Sequence, residues 1–251
     1  KGNKVKELIT IVPARLGSKR IKLKSLRLLD GKPLIEYILE TLKKSKYHNN
    51  IFINSDSELY EQVAMQYGVK FYKRDKSLAT SESLIDDYLY DFMKQQPSEY
   101  LAVVNPTSPF VNSKDLDNAW QSFKESNCDT LLSCENIQTH CFYKDEGVNF
   151  STKGQHPRSQ DLEPIQALNF AITIFDCNKY IENYEKNGYG VYTGKLCFFP
   201  IEGNANIDID YEDDFIFAEF VAKFLKSDER FKPKYSSLAN EIIEKNMDVS
   251  N

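Results

Sequence analysis

Long apolar runs are missing from this chain of 251 residues. A membrane-spanning helix needs about 18–20 consecutive apolar residues. The longest apolar stretches here, residues 8–13 and 100–104, instead fit buried strands. We therefore expect no membrane association. With 41% hydrophobic and 27% charged residues, the composition is typical of a globular protein, and the length fits one α/β domain.

Cysteine and histidine are sparse and have no pattern. The five cysteines form an odd, irregularly spaced set without a C-x-x-C pair, so neither a disulfide framework nor a zinc site is predicted. The three histidines lack metal-ligand spacing, and we expect each to be an exposed or hydrogen-bonded side chain. The first residues are polar and contain no hydrophobic leader. Together these features favour a reducing, cytoplasmic location.

An excess of basic charge is also missing, since 32 Lys and Arg face 37 Asp and Glu for a net charge of −5. Nucleic acid is therefore not an expected partner, because phosphate backbones favour a broad basic face. Residues 13–27 are the exception, with six cationic side chains and no acid before Asp30. A cluster of this kind after a strand suits a polyphosphate, with backbone N–H groups near Gly17 and Ser18 assisting. A solvated surface loop is the alternative.

Short apolar runs alternate with amphipathic segments in the first half of the chain. Strands are predicted at residues 7–13, 50–55, 69–73, 100–105 and 130–134, and helices at 33–45, 57–67, 84–96 and 113–125. Pro33 is expected at a first helical position, and Ser57 and Ser113 as helix caps. The alternation predicts a mostly parallel sheet flanked by helices. Ligands of such sheets bind beyond the carboxyl ends of the strands, here after residues 13, 55, 73 and 105.

The pattern breaks between residues 136 and 168, where periodicity is weak. This stretch is predicted to be an insertion or protruding element within a single domain spanning 1–251. Regular structure is expected to resume at 169–175, 178–186, 195–200 and a helix over 212–226, followed by a helix and a frayed end.

Two acids stand out in the second half of the chain, at Asp208 and Asp210 in the sequence Ile-Asp-Ile-Asp. On an extended segment the two carboxylates point the same way and can share Mg²⁺, which prefers oxygen ligands. Solvent-facing acids at a strand end, or helix caps, would give the same pattern. Asp56, after the second strand, is either a helix cap or a ligand, and the turn 105–109 needs no functional explanation.

In their order along the chain, these motifs resemble the N-acylneuraminate cytidylyltransferase family, whose members make CMP-sialic acid and related CMP-sugars. The similarity covers most of the chain. The matching segments are Val12-Pro13-Ala14-Arg15-Leu16-Gly17-Ser18-Lys19-Arg20, Gly31-Lys32-Pro33-Leu34-Ile35, Ser55-Asp56-Ser57, Tyr72-Lys73-Arg74, Leu78-Ala79-Thr80, Asn105-Pro106-Thr107-Ser108-Pro109, and Ile207-Asp208-Ile209-Asp210 with Asp213 or Asp214.

The resemblance implies a Rossmann-like nucleotidyltransferase fold and a homodimer in which a protruding element, assigned here to 136–168, reaches the partner's active site. It also implies a magnesium-dependent transfer of CMP from CTP to an acidic sugar with release of pyrophosphate. The residues carried over as catalytic are Arg15, Lys19 and Lys24. Those carried over as CTP-binding are Arg15, Ser18, Lys24, Ser25, Arg74, Ala79, Ser81 and Ser83. The acceptor residues are Asn105, Arg158, Gln166 and Asn169, and the magnesium ligands are Asp208 and Asp210.

Departures from the family pattern concentrate on the acceptor side. Ser25 replaces a usual Asn, Asn105 replaces a usual Gln, and Val111 and Ala167 stand where arginines that grip a sugar carboxylate are expected. Arg158 either supplies a different anion contact or is a surface arginine. The acceptor is therefore expected to be a nonulosonic acid or, alternatively, a phosphonate or other small molecule. A non-catalytic nucleotide-binding paralogue is a further alternative, against which the retained Lys24, Asp208 and Asp210 argue.

Overall fold

The computed structural model describes residues 6–227 and 233–244. Its strands are β1 (Lys6–Pro13), β2 (Leu28–Leu29), β3 (Lys32–Pro33), β4 (Ile51–Ser55), β5 (Lys70–Lys73), β6 (Ser98–Val104), β7 (Thr130–Ile137), β8 (Phe142–Tyr143), β9 (Glu146–Gly147), β10 (Ile165–Asp176) and β11 (Leu196–Pro200). Its helices are α1 (Leu34–Lys43), α2 (Leu59–Tyr67), α3 (Ile85–Gln95), α4 (Ser113–Ser126), α5 (Cys177–Asn187), α6 (Glu212–Lys226) and α7 (Ser237–Glu244).

A seven-stranded sheet forms the centre, in the order β11-β7-β10-β6-β1-β4-β5. All neighbouring strands run parallel except β10, which is antiparallel to both β6 and β7. Helices α1, α2 and α4 pack on one face and α3 and α5 on the other. In β1, Leu8 and Val12 join one buried cluster while Ile9 and Ile11 join the other, because successive side chains point to opposite faces. The predicted α/β class with a mostly parallel sheet is confirmed.

The predicted helix starts need small corrections. Helix α4 is capped by Asn112, not by Ser113, and Asn112 and Asp115 form a reciprocal capping box. An Asn side chain one residue earlier accepts from the free N–H groups of the first turn, which leaves no role for the serine. Pro33 is the N-cap residue of α1 and not its first helical residue. Ser57 lies one residue before the N-cap of α2.

The irregular stretch predicted at 136–168 is shorter than expected. Strand β7 continues to Ile137 and β10 already begins at Ile165, and these two residues lie opposite each other. Polar, exposed residues such as Glu135 and Gln166 interrupt the apolar pattern there because this part of the ribbon leaves the core. The irregular part is therefore limited to residues 138–164, which contain the small β8–β9 hairpin.

The order of the strands places a crevice at one edge of the sheet. From β1 the chain proceeds outward to β4 and β5, then returns to place β6 on the other side of β1. Such a reversal is where open α/β sheets bind ligands. The loops after β1, β4, β5 and β6 all leave at this edge.

The chain beyond residue 227 was predicted to form a helix and a frayed end. Helix α7 lies in this part of the chain, and residues 228–232 and 245–251 are outside the described residues. Within the described residues, no helix has both the length and the apolar character that crossing a bilayer requires.

Candidate active site

A cleft of about 630 Å³ opens at the carboxyl edge of the sheet. It is lined by the loops that follow β1, β5 and β6 and by Asp210 before α6. The predicted site residues that line it are Arg15, Ser18, Lys19, Lys24, Ser25, Arg74, Ala79, Ser81, Ser83, Asn105 and Asp210. The predicted residues outside its lining are Asp208, Arg158, Gln166 and Asn169.

The cationic segment of residues 13–27, called the basic loop below, is anchored on both sides of the cleft. The backbone N–H of Leu16 donates to Asp56 Oδ1 at 3.0 Å. Arg15 Nη1 donates to the carbonyl of Thr80 at 2.9 Å, which connects the loop to the segment after β5. Asp56 thus anchors the loop, while the first N–H of α2, that of Leu59, donates to Ser57 Oγ at 3.3 Å. The cationic segment is held in place, as a phosphate-binding site requires.

Lys24 connects the basic loop to the acidic pair. It begins a short 3₁₀ turn after Leu23, whose φ of 51° lies in the left-handed region. Lys24 Nζ donates to the carbonyl of Ile209 at 2.7 Å and lies 3.3 Å from Asp210 Oδ1. Arg20 Nη1 lies 3.2 Å from Asp210 Oδ2, and this carboxylate raises the pKa of Arg20. Segments about 185 residues apart are therefore joined in one site.

The two acids have different surroundings. Burial raises the pKa of Asp208, Asp210 raises it further, and a hydrogen bond from Thr107 opposes both effects. Ile209 between them is fully buried, and its N–H donates to the Thr107 carbonyl at 2.9 Å. Asp214 accepts from the N–H groups of residues 210 and 211 and so caps α6.

The donor set at this position fits a magnesium ion. No group of three or more His, Cys, Asp or Glu side chains suited to a metal is found in residues 6–227 and 233–244. Mg²⁺ is commonly bound through one or two carboxylates together with substrate phosphates and waters. Asp210 lines the cleft and Asp208 lies outside its lining, so these two carboxylates are the residues that would hold such an ion.

Arg74 is a buried cation in the wall of the cleft, with 4% of its surface exposed. Its Nε donates to Asn54 Oδ1 at 2.6 Å and its Nη2 to the Asn54 carbonyl at 3.2 Å. The guanidinium carbon lies 4.0 Å from the centre of the Tyr88 ring, and burial lowers the pKa of Arg74. No carboxylate of the described residues forms an ion pair with it. Its hydrogen-bond partner Asn54 is neutral, while Asp56 and Asp91 act on its charge from a longer distance.

Asn54 and Tyr88 belong to this site but were not predicted from the sequence. Asn54 is a fully buried polar residue that follows three apolar residues of strand β4. A buried amide requires a hydrogen-bond partner, so its position in the sequence was a usable indication. Tyr88 has no comparable feature, since it belongs to the regular apolar face of α3.

Comparison with known proteins decides the family. A family model described as cytidylyltransferase matches residues 9–216. The chain belongs to the cytidylyltransferase family. It is 27% identical to the N-acylneuraminate cytidylyltransferase of Streptococcus agalactiae serotype V, covering 92% of this chain and 59% of that protein. It is 31% identical to the pseudaminic acid cytidylyltransferase of Campylobacter jejuni, covering 86% of this chain and 96% of that one.

The predicted resemblance is confirmed, and solved structures agree on the fold. The CMP:2-keto-3-deoxy-manno-octonic acid synthetase complexed with CTP has a TM-score of 0.65 at 13% identity, covering 87% of this chain and 99% of that chain. A cytidylyltransferase from Leptospira borgpetersenii has a TM-score of 0.59 at 17% identity, covering 96% of this chain and 95% of that one. The Rossmann-like nucleotidyltransferase fold expected from the motifs is therefore confirmed.

The four residues predicted to bind the acceptor have other partners or positions in the structure. Asn105 lines the cleft, but its Nδ2 donates to the carbonyl of Phe170 at 2.6 Å. The amide of Asn169 is engaged by Ser133 and Asn206. Arg158 forms two hydrogen bonds with Asp161, at 2.7 and 3.0 Å. Gln166 is exposed on β10. Three of the four predicted acceptor residues therefore lie outside the cleft lining, and all four roles stay predictions.

Proposed function

We propose that the protein transfers CMP from CTP to an acidic sugar of the nonulosonic type and releases pyrophosphate. The observation that carries this proposal is the convergence in one cleft of the basic loop, the buried Arg74 and Asp210. The relatives are named for N-acylneuraminate and pseudaminic acid. Since the chain spans about 59% of the length of the Streptococcus agalactiae relative, its activity and substrates are inferred from the cleft and the family together.

The chemistry needs alignment more than a covalent nucleophile. An acceptor hydroxyl attacks the α-phosphorus, a new P–O bond forms, the bond to the β-phosphate oxygen breaks, and the hydroxyl proton passes to solvent. Arg15, Lys19 and Lys24 would hold the phosphate oxygens in line, and Ser18 and Ser25 would add hydrogen bonds. Positioning two substrates can supply about 7–11 kcal/mol in well-aligned cases. A loop anchored at Leu16 and Arg15 is suited to this work.

Magnesium is part of this proposal. Held by Asp208 and Asp210, Mg²⁺ would neutralise charge on the triphosphate and on the departing pyrophosphate. Burial is the main cause of the raised pKa of Asp208, and the Asp210 carboxylate adds to it, so a cation bound at this position would favour the ionised form of Asp208. Lys24 and Arg20 neutralise Asp210 in the protein alone.

The cytidine is assigned to the side of the cleft formed by Arg74, Ala79, Ser81 and Ser83. This side combines one buried cation with small residues and hydroxyl groups, which leaves room for a planar base. Tyr88, which also lines the cleft, stacks against the Arg74 guanidinium. Fixed polar groups of this kind discriminate strongly, because the wrong base leaves them unpaired.

The acceptor side favours an acceptor other than N-acetylneuraminic acid. Val111 is buried, with 1% of its surface exposed, and Ala167 cannot hold a carboxylate, so neither expected arginine contact exists. Losing a charge-assisted contact worth about 1.5–3 kcal/mol weakens acceptor use roughly ten- to a hundredfold. A phosphonate or other small acceptor is therefore the second candidate.

We also propose a homodimer formed through the irregular segment 138–164. Its hairpin exposes Phe142, Tyr143 and Val148, each more than half exposed. Apolar side chains at the tip of a protruding element are typical of a protein contact. Sedimentation or light scattering should show a dimer, and Phe142→Ser with Tyr143→Ser should yield monomers.

A cytoplasmic location is supported by the five unpaired cysteines.

The deciding experiment is pyrophosphate release with each of the four nucleoside triphosphates and magnesium, followed by CTP with a panel of 2-keto sugar acids and phosphonates. We expect CTP to be preferred by about 100-fold or more and N-acetylneuraminic acid to be a poor acceptor. Equal use of all four nucleotides would contradict the cytidylyltransferase assignment. CTP binding without release on any acceptor would favour a non-catalytic nucleotide-binding protein.

A further inference from the structure

Phe170 has an unusual backbone conformation close to the cleft. Its φ is 51°, in the left-handed region that glycine adopts easily and a bulky side chain does not. It lies in β10 where the register with β7 shifts between Leu168 and Thr173. Strain of this kind persists only when the surrounding contacts impose it, and it clusters at functional sites.

Two asparagines impose the conformation of this bulge. Asn105 Nδ2 donates to the Phe170 carbonyl at 2.6 Å, and the Asn105 N–H donates to the Ala171 carbonyl at 3.1 Å. Asn169 Oδ1 accepts from the Ala171 N–H at 3.2 Å and from Ser133 Oγ. Because Asn105 lines the cleft, the bulge is coupled directly to the candidate active site.

The Phe170 side chain forms part of the wall of a small cavity that adjoins the cleft. This cavity of about 50 Å³ shares Ile85, Tyr88 and Asn105 with the cleft, and Phe170 and Val191 are among its other walls. Its lining is mainly apolar, and it offers few polar groups. The space is much smaller than the cleft and accepts only a small substituent.

We propose that Phe170 determines acceptor specificity. Its ring limits the small cavity, so that the favoured acceptor places a short methyl-terminated substituent there, and bulkier substituents are excluded. This inference rests on the proposed function, because it assigns to the acceptor a cavity that opens beside the nucleotide cleft.

The test compares Phe170→Gly and Phe170→Ala with the native protein. Both remove the ring, while only glycine also relieves the backbone strain. Asn127→Gly is the matched control, because Asn127 has a φ of 47° at the exposed end of α4, away from the cleft. The substrates are CTP and 2-keto sugar acids that differ in one substituent, from hydrogen through methyl-terminated groups to a long acyl chain.

We expect both Phe170 variants to raise the kcat/KM ratio of long-chain to short-chain acceptors by about tenfold or more, since one methylene in an apolar pocket changes selectivity by roughly 10- to 200-fold. The dissociation constant for CTP should not change, whereas a general structural defect would alter it. Val191→Phe provides a second approach, because it fills the cavity without touching the bulge. It should lower kcat/KM for methyl-terminated acceptors by about tenfold while retaining the unsubstituted one.

Unchanged ratios in folded Phe170 variants, or an unchanged acceptor profile in Val191→Phe, would overturn the role of Phe170. Should the Phe170 variants fail to fold, the Val191→Phe result decides alone. Absence of pyrophosphate release by the native protein with every acceptor would overturn the proposed function itself, which is a different outcome from release with unchanged selectivity.

Discussion

Replacing Lys24 by methionine removes one ammonium group from the cleft and keeps most of the side-chain volume. In the native protein Lys24 Nζ donates to the Ile209 carbonyl at 2.7 Å and pairs with Asp210 at 3.3 Å, and 16% of its side chain is exposed. The methionine variant therefore loses both the charge that would meet the triphosphate and the tether to the acidic segment.

The magnitude follows from these contacts. A hydrogen bond involving a charged group contributes about 1.5–3 kcal/mol, and each 1.4 kcal/mol corresponds to about tenfold. We therefore expect kcat/KM for CTP to fall by roughly 10- to 150-fold. The effect should appear mainly in kcat, because the ammonium is expected to stabilise charge that develops as pyrophosphate leaves.

Arg27→Met is the matched control, since it removes one positive charge from the same loop. Arg27 donates two hydrogen bonds to Glu212, both at 2.6 Å, and stacks on Phe215, outside the cleft lining. We expect its kcat/KM to stay within about threefold, because an exposed and screened charge acts weakly at a distance. The free energy of unfolding of Arg27→Met should be lower than that of the native protein by about 1 kcal/mol.

Pyrophosphate release at saturating acceptor provides kcat and KM, and denaturant unfolding provides stability. Equal losses of activity in the two variants would refute the reasoning, because the loop would then act as a diffuse electrostatic patch and not as a positioned phosphate site. Loss of activity that parallels loss of stability in Lys24→Met would refute it as well.

Three further predictions concern other groups of the structure. Asp208→Asn and Asp210→Asn should each leave the fold intact and lower turnover by at least about 100-fold at limiting magnesium, and unchanged turnover in both would contradict the metal assignment. Arg74→Lys should weaken CTP binding by about tenfold or more in calorimetry, because lysine cannot reproduce both hydrogen bonds to Asn54; unaltered affinity would contradict its role. Burial lowers the pKa of His48 to about 4 from 6.5. As pH falls from 6.5 to 4, the unfolded chain therefore binds a proton at His48 that the folded protein does not bind. The free energy of unfolding should decrease over this range by about 3 kcal/mol. A His48→Gln variant should lack this part of the pH dependence in denaturant unfolding, and identical slopes would contradict the prediction.

Local patterns in the sequence determined most of the secondary structure. Helix α6 has the predicted bounds, because its apolar residues recur at helical spacing and three acids occupy its first turn. The central strands were recognisable because strands such as β4 are buried along their whole length and therefore have short apolar runs as their sequences. The caps were wrong by one residue, since several polar residues compete at each helix start and only the backbone geometry selects one.

The sequence by itself also identified the family. The residues that it predicted for CTP all line one cleft, because they belong to short motifs with fixed spacing after a strand. The acceptor side was beyond its reach. Arg158 and Asn169 carry suitable chemical groups, but their partners Asp161 and Ser133 engage them elsewhere.

Only the tertiary structure decided how distant segments meet. Strand β10 lies antiparallel between β6 and β7 and contains the bulge at Phe170. No periodicity in the sequence predicts this bulge. The contact of Lys24 with Ile209 spans 185 residues, and the burial of Arg74 depends on Asn54 of a neighbouring strand. Such contacts arise from the order in which strands enter the sheet, which is determined by the packing of the whole chain and not by local spacing.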